Sequence, residues 1–253
     1  MKKRMQPHIM CGIGDVAKYI LIPGDPQRVK TIASFLDESR KIAEYRGFMT
    51  YTGSKNGVEI SVCSTGIGCP SAAIAVEELS RIGAKTFVRV GTTGALQRNV
   101  EMGDIVVASA AVRGDGTSKI YAPLEFPAIA NFNVVAALLD AARKSKKKTH
   151  FGVVLSTDTF YGNHENLKRW SNLGVLSVEM ESSVIFTIAA LKKLQAGAIL
   201  VVDGNPFLGV GKGEFEPGEQ KGEFDAIVKE AIEEEARIAI DAILMIEKNV
   251  NTR

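Results

Sequence analysis

Short apolar runs rich in β-branched residues alternate along the chain with segments that have helical periodicity. Six runs predict strands, and these are Tyr19–Ile22, Glu59–Cys63, Thr86–Val90, Asp104–Ala108, Phe151–Leu155 and Gly197–Val202. Several are apolar throughout, which is typical of strands covered on both faces of a sheet. The predicted helices are Pro26–Leu36, Pro70–Ile82, Phe132–Lys147, Glu181–Lys193 and about Glu223–Lys248. This alternation predicts an α/β fold with a mixed or mostly parallel sheet.

The chain shows no sign of a division into two halves. No linker rich in Pro, Gly or Ser interrupts it, and no internal repeat with a period of roughly 20–50 residues is visible. Residues 1–253 are therefore expected to form a single domain. Gly204–Gly222 holds many glycines with Pro206 and Pro217, and it predicts a long loop of the kind that often serves function.

Composition narrows the class of protein. The 253 residues are 45% hydrophobic, and 31 Lys+Arg nearly balance 29 Asp+Glu. This balance gives no electrostatic reason to expect nucleic acid or a membrane surface as a partner. No segment has the roughly 18–20 apolar residues of a membrane span, and no apolar signal segment follows the basic N-terminus, so a cytoplasmic protein is expected. Three cysteines without a C-x-x-C pair predict reduced thiols and no metal site.

Three glycine-rich segments follow predicted strands, and each contains an arginine or hydroxyl side chains. They are Pro23–Arg28, Ser64–Ser71 and Arg89–Gly94. Backbone N–H groups, hydroxyls and guanidinium groups at strand ends form a pocket for an oxyanion, and ligands of open α/β sheets collect at the carboxyl ends of strands. None of the segments is a complete dinucleotide or P-loop motif. Together they indicate a site for an anion the size of phosphate.

Two carboxylates lie in Val178–Glu181, where an apolar stretch runs into a predicted helix. Acidic residues are favoured near a helix N-terminus, which is one explanation of the pair. The functional explanation is that a carboxylate accepts hydrogen bonds from a sugar diol while Met180 packs on the apolar face of the sugar. A carboxylate also stabilises positive charge on a sugar ring. The anion site and this pair together indicate a reaction that joins an anion to a sugar.

Taken in order, these segments resemble the nucleoside phosphorylase family, whose members cleave purine nucleosides and uridine. The segments that carry the resemblance are Pro23–Pro26, Arg46–Phe48, Ser64–Gly68, Arg89–Gly94 and Val178–Glu181. Further segments are similar to the uridine-cleaving branch, namely Gly91–Ala95, Ala111–Gly116, Tyr121–Pro127 and Ser156–Tyr161. The resemblance implies a three-layer α/β/α sandwich whose mixed central sheet is partly barrel-like. It also implies a homo-oligomer, a hexamer built as a trimer of dimers with shared active sites.

The resemblance assigns a role to each candidate residue. The implied phosphate ligands are Gly24, Arg28, Arg46, Arg89 and Thr92, with Arg46 supplied by a neighbouring subunit. The implied ribose ligands are Glu181, Glu179, Met180, Thr92 and His8, the last also supplied by the neighbour. The implied base site consists of Thr93, Gly94, Phe160, His164 and Asn166. Glu181 and Arg89 are the implied catalytic residues, and phosphate is a co-substrate with no further cofactor.

The implied reaction is the reversible phosphorolysis of uridine to uracil and ribose 1-phosphate. His164 and Asn166 occupy positions where the uridine-cleaving branch has Gln and Arg. Gly47 occupies the position of a glutamate that helps to bind potassium in the bacterial enzymes, so that ion is not expected. On this reading, Arg89→Ala is expected to remove most phosphorolysis and to leave the fold intact.

Three alternatives remain. A purine nucleoside or 5′-methylthioadenosine phosphorylase of the same family would need an aspartate at position 204, which is Gly204 here. Asp203 is one residue early, and a one-residue shift along a strand turns a side chain to the other face, so it is expected to point away. A nucleoside hydrolase would not need the three arginines at the anion site. A non-catalytic nucleoside-binding protein is disfavoured by the intact Glu181 and Arg89.

Overall fold

The computed structural model describes residues 4–161, 164–207 and 221–251. The strands are β1 (Tyr19–Ile22), β2 (Glu38–Tyr45), β3 (Phe48–Lys55), β4 (Val58–Cys63), β5 (Thr86–Ala95), β6 (Ile105–Gly114), β7 (Ala128–Ile129), β8 (Thr149–Thr157), β9 (Ser177–Glu179) and β10 (Gln195–Gly204). The helices are α1 (Pro26–Ala33), α2 (Cys69–Arg81), α3 (Thr117–Tyr121), α4 (Phe132–Ala142), α5 (His164–Asn172), α6 (Ser182–Leu191) and α7 (Lys221–Asn251).

All of these strands belong to one sheet, part of which closes into a barrel. The order is β10-β6-β8-β9-β5-β1-β4-β3-β2, and an additional pairing of β10 with β5 closes a ring of five strands. Within the ring β10–β5, β6–β8 and β8–β9 are parallel, whereas β10–β6 and β5–β9 are antiparallel. The predicted α/β fold with a mixed, partly barrel-like sheet is therefore confirmed.

The helices cover the sheet from outside in two packed groups. Helix α7 packs on α4 and α1 and against β5 and β10, while α6 packs on α2 and α3. Helix α7 turns an apolar stripe inward, and its residues Ala236, Ala239, Ile243 and Ile246 are buried. In the described part of the chain, no helix is both long enough and apolar enough to cross a lipid bilayer.

Two of the elements that the apolar pattern did not predict, β2 and α5, are polar. Strand β2 is exposed along most of its length and forms one edge of the sheet, so it lacks an apolar run. Helix α5 buries none of its residues completely. Charged residues on an edge strand prevent unwanted pairing with other chains, which favours the polar sequence of β2. Arg46 and Gly47 form the two-residue turn between β2 and β3, since Tyr45 ends β2 and Phe48 begins β3.

Several predicted boundaries were wrong; for example, β6 continues to Gly114 instead of ending at Ala108. The segment Arg89–Gly94, expected to be a turn, continues as part of β5, because residues 86–94 pair with β10 and the end of the strand pairs with β9. Helix α4 ends at Ala142 instead of Lys147. Gly204 is the last residue of β10 and α7 begins at Lys221, whereas most of the predicted loop, residues 208–220, lies outside the described residues.

Candidate active site

Two glycine turns meet at one edge of the sheet. Strand β1 lies between β4 and β5 and is parallel to both, so the carboxyl ends of the three strands point the same way. The Thr65 N–H donates to the Pro23 carbonyl at 2.8 Å, and the Gly66 N–H donates to the Gly24 carbonyl at 3.0 Å. A Cβ at Gly24 would lie 3.2 Å from the Gly66 carbonyl oxygen, so glycine permits this close approach.

Helix α1 brings Arg28 to the same edge. Asp25 caps the helix, since its side chain accepts the Gln27 N–H at 2.8 Å, and Pro26 begins the first turn. Arg28 is half-buried, and its Nη2 lies 3.5 Å from the Thr92 Oγ1 of β5. A helix N-terminus, a guanidinium group and a hydroxyl therefore converge as an anion site requires.

Arg89 lies between the two carboxylates, and Arg89, Glu179 and Glu181 together are called the Arg89 cluster. The Arg89 Nε donates to the Glu179 Oε2 at 2.7 Å, and the Arg89 Nη2 donates to the Glu181 Oε2. Glu181 also accepts the Gly68 N–H at 2.6 Å, which ties the cluster to the second glycine turn. All three side chains are buried, and the Arg89 Nη1 has no hydrogen-bond partner among the described residues.

Glu179 acts inside this cluster and not on its surface. Besides Arg89, its oxygens accept the N–H groups of Glu181 and Ser182 at 2.9–3.0 Å and the Ser156 hydroxyl. These bonds satisfy the first turn of α6 and occupy both carboxylate oxygens. Glu179 therefore fixes Arg89 and the entry into α6. Its predicted contact with ribose stays a prediction.

The electrostatics of the cluster keep Arg89 charged. Burial alone would disfavour the guanidinium charge, but the neighbouring Glu181 and Glu179 raise the pKa of Arg89 above its ordinary value. Burial raises the pKa of Glu181, and the charge of Arg89 opposes that rise. Glu181 is therefore protonated more readily as the pH falls than an exposed glutamate.

The predicted base-binding residues follow β8 or lie at the end of β5. Strand β8 runs parallel to β9 with Ser156 opposite Glu179, so the segment after β8 leaves the sheet beside the Arg89 cluster. The Phe160 ring is 58% exposed and is free to stack on a planar ligand. In the same segment, His164 is exposed and Asn166 is half-buried. The end of β5 is more constrained, since the Thr93 hydroxyl donates to the Val178 carbonyl at 2.8 Å and Gly94 pairs with Val178.

His8 is held at the surface by α2. Its Nδ1 lies 2.6 Å from Glu78 Oε1, while Glu78 Oε2 accepts the N–H groups of His8 and Ile9 at 3.0 and 2.9 Å. The His8 side chain remains 38% exposed. No described hydrogen bond or ion pair joins it to the Arg89 cluster. His8 is thus partly exposed and is bound to Glu78 of α2.

Arg46 occupies an unusual backbone conformation at the tip of the β2–β3 hairpin. Arg46 has φ +51° and Gly47 has φ +83°, whereas the next hairpin uses Asn56 and Gly57 at φ +50° and +78°. Asn-Gly is the preferred pair for such a turn, and an arginine there is uncommon. Arg46 is exposed beside a cavity of about 430 Å³ that the start of α1 also lines. An arginine in this conformation is what a functional role would favour, and the predicted role of Arg46 in phosphate binding stays a prediction.

Comparison with known proteins identifies the family. A sequence model described as the Phosphorylase superfamily matches residues 18–244. The chain belongs to the phosphorylase superfamily. It is 42% identical over 239 residues to a guanosine phosphorylase of Halorubrum lacusprofundi, which covers 94% of this chain and 98% of that protein. It is 46% identical over 215 residues to a uridine phosphorylase of Thermococcus kodakarensis, covering 79% of this chain and 78% of the relative.

Two further relatives agree with this assignment of the superfamily. The uridine phosphorylase of Escherichia coli is 43% identical over 198 residues, which cover 72% of this chain and 78% of that protein. The crystal structure of uridine phosphorylase from Vibrio fischeri ES114 superposes with a TM-score of 0.89 at 32% identity, covering 97% of this chain and 99% of that chain. The predicted family and fold are therefore confirmed.

Sequence reasoning missed two parts of this phosphorylase-superfamily site. One is the support of Glu179 by Ser156, whose segment Ser156–Tyr161 was singled out only by its resemblance to the uridine-cleaving branch. The other is Glu235, a fully buried carboxylate on α7 that accepts the Gly91 N–H at 2.9 Å. A signal for Glu235 existed, because an acid on the apolar stripe of a helix is unusual. Among the described residues, no three or more His, Cys, Asp and Glu side chains are grouped so as to hold a metal.

Gly91 tests how tightly the Arg89 cluster is built. Its backbone is not in the left-handed region, so alanine fits its conformation, but a Cβ would lie 2.9 Å from the Arg89 Cζ. Gly91→Ala should displace the guanidinium from its carboxylates and lower kcat/KM for phosphorolysis about tenfold or more. Gly116→Ala is the control, since its Cβ would meet only Asp158 at 3.5 Å. Equal activity of the two variants would show that the cluster tolerates movement of Arg89.

Proposed function

We propose that this chain is a nucleoside phosphorylase that cleaves uridine with inorganic phosphate, giving uracil and ribose 1-phosphate. The observation that carries the proposal is the position of Arg89. Its guanidinium binds Glu181, and three residues further along the same strand Thr92 lies beside Arg28. Sites for a sugar diol and for an anion are thereby joined by one strand, β5.

The arrangement supports a direct displacement at the anomeric carbon. Phosphate would lie at Gly24, Arg28, Arg89 and Thr92, with Arg46 supplied by a neighbouring subunit. Glu181 would accept the ribose hydroxyls, with Met180 against the sugar. A phosphate oxygen forms the new bond to C1′ as the bond from C1′ to N1 breaks, and the electron pair leaves with uracil. Charge on the uracil anion is spread over its two carbonyl oxygens and N3, so hydrogen-bond donors suffice to stabilise it. Positioning and electrostatics supply the catalysis.

We also infer that the active sites are shared within a homo-oligomer, a hexamer in our proposal, in a single-domain cytoplasmic protein that needs no cofactor besides phosphate. The exposure of His8 and Arg46 supports sharing, because both are offered outward from their own chain. The superfamily match from 18 to 244 supports one domain.

Mixing inactive subunits tests the shared sites. A hybrid dimer of His8→Ala or Arg46→Ala with Glu181→Ala contains one site with both changes and one site with neither. Activity should therefore return when either of the first two variants is combined with the third, measured as uracil release after co-expression and purification of the hybrids. Each variant alone, taken through the same procedure, is the control. A fully active monomer in sedimentation experiments would refute the shared site.

Guanosine is a second candidate substrate. In the sequence comparisons the guanosine phosphorylase relative matches 94% of the chain, whereas the uridine phosphorylases of Thermococcus kodakarensis and Escherichia coli match 79% and 72%. The structure also changes the argument about Asp203. Val202 pairs with Thr93 and Gly204 with Gly94, so Asp203 is the extra residue of a β-bulge and simple alternation does not set its direction. The prediction that it points away therefore loses its premise.

A panel of nucleosides separates these functions. Uridine, guanosine, inosine, adenosine and 5′-methylthioadenosine are each incubated with the protein, with and without phosphate. We expect the fastest release of base from uridine and no release without phosphate. Release without phosphate would indicate a hydrolase, and tight binding without release would indicate a binding protein. Guanosine as the best substrate, with cleavage abolished by Asp203→Asn but not by the exposed control Asp140→Asn, would establish the second candidate.

A further inference from the structure

Helix α7 places a carboxyl group directly behind the predicted phosphate site. Glu235 is 0% exposed on the face that packs against β5 and β10. Its Oε1 accepts the Gly91 N–H at 2.9 Å, and its Oε2 has no hydrogen-bond partner among the described residues. Buried carboxyl groups normally have partners for both oxygens. This group is therefore retained for a reason other than packing.

Charged side chains on α1, β5 and β10 face Glu235. Arg28 of α1 and Arg89 of β5 attract its negative charge, and Asp203 of β10 repels it. Helix α4 also packs on α7, but its Asp140 is paired at the surface with Arg143 at 2.7 Å. Burial raises the pKa of Glu235 well above its ordinary value, even though Arg28 opposes the rise.

We propose that Glu235 is a positioning residue for the phosphate site, holding the Gly91–Thr92 segment beside Arg28, and that proton binding at Glu235 and phosphate binding reinforce each other through the arginines. The proposal rests on the proposed function, in which Arg28, Arg89 and Thr92 bind phosphate. The coupling follows from charge. An ionised Glu235 competes with phosphate for the same guanidinium groups, whereas a protonated one does not. By reciprocity, bound phosphate favours the protonated form.

The raised pKa of Glu235 determines how phosphate binding should change with pH. The carboxyl is neutral below its raised pKa, so phosphate should bind tightly there and more weakly as the pH rises through it. The contribution of this group to stability has the same sign, because its pKa is raised on folding. That contribution is full below the pKa of the unfolded chain and is lost as the pH rises through the folded pKa.

Two substitutions separate position from charge. Glu235→Gln keeps an oxygen for the Gly91 N–H but cannot ionise, whereas Glu235→Leu removes both properties. Glu234→Gln is the control, since Glu234 lies next in sequence and is half-buried beside Arg237 at 3.7 Å. The experiment measures the KM for phosphate and kcat from mildly acidic to mildly alkaline pH. The pH dependence of the KM is compared between variants, because the ionisation of phosphate itself in this range affects all of them equally.

In the wild type and in Glu234→Gln, the KM for phosphate should rise more steeply with pH than in Glu235→Gln, with kcat little changed. Glu235→Leu should raise the KM for phosphate about tenfold across the range. Identical pH profiles of the wild type and Glu235→Gln would overturn the coupling. An unchanged KM in Glu235→Leu would overturn the positioning role.

A second measurement does not depend on turnover. Thermal unfolding is followed with and without inorganic phosphate at each pH. Phosphate should raise the unfolding temperature of the wild type more at low than at high pH, and this dependence should be weaker in Glu235→Gln. If no nucleoside is cleaved but this pattern appears, the proposed function fails and the role of Glu235 stands. If phosphate stabilises both proteins equally at every pH, the role of Glu235 fails alone. If phosphate stabilises neither, both fail.

Discussion

Replacing Arg89 by alanine should abolish most phosphorolysis and should also destabilise the fold. Arg89 neutralises Glu179 and Glu181 in the interior, so its removal leaves two buried carboxylates without a cation. Breaking a buried ion pair in this way typically costs about 3–5 kcal/mol of stability. Lost charge-assisted contacts should lower kcat/KM by at least roughly ten- to a hundredfold.

The measurement must separate unfolding from lost catalysis. Activity is assayed at a temperature where circular dichroism shows that the Arg89→Ala variant is folded, and the unfolding temperature is recorded for each protein. Arg81→Ala is the control, because Arg81 lies on α2 in an exposed ion pair with Glu77. Exposed pairs of this kind contribute about 0–1 kcal/mol. A folded Arg89→Ala variant with unchanged kcat and phosphate KM would contradict the assignment.

Replacing Glu181 by glutamine should produce a comparable loss of activity with a smaller loss of stability. The amide keeps an oxygen for the Gly68 N–H but loses the charge that strengthens bonds from ribose hydroxyls. We expect kcat/KM for uridine to fall about a hundredfold. Uridine is compared with 2′,3′-dideoxyuridine, which lacks the diol, so the substitution should matter much less for the second substrate.

Equal losses for the two substrates would show that Glu181 does not bind the diol. Glu77→Gln, on the partly exposed face of α2, is the control and should leave both activities unchanged.

The pH profile adds an independent test, because burial raises the pKa of Glu181. Wild-type activity requires the ionised carboxylate, so it is present above that pKa and is lost as the pH falls through it. The acidic limb should therefore lie at a higher pH than for an exposed glutamate.

The elements with strong apolar patterns were predictable because the spacing of their apolar residues along the chain shows which residues are buried. The run Tyr19–Ile22 matches β1, and the start of α1 at Pro26 agrees with its Asp25 cap. The exposed β2 and α5 escaped prediction because edge position and partial burial erase the apolar signal. The full length of β5 depended on pairing with β10, more than a hundred residues away. Such pairing leaves no local pattern.

For the site, the sequence determined the superfamily and named the candidate residues, since each motif is contiguous along the chain. Only the tertiary structure decided how those residues share their hydrogen bonds. It buried Arg89 between two carboxylates, so the expectation that Arg89→Ala leaves the fold intact no longer holds. It made Glu179 an internal support and placed Glu235 behind Gly91. Burial and long-range electrostatics depend on the packed chain as a whole, and no stretch of sequence encodes them alone.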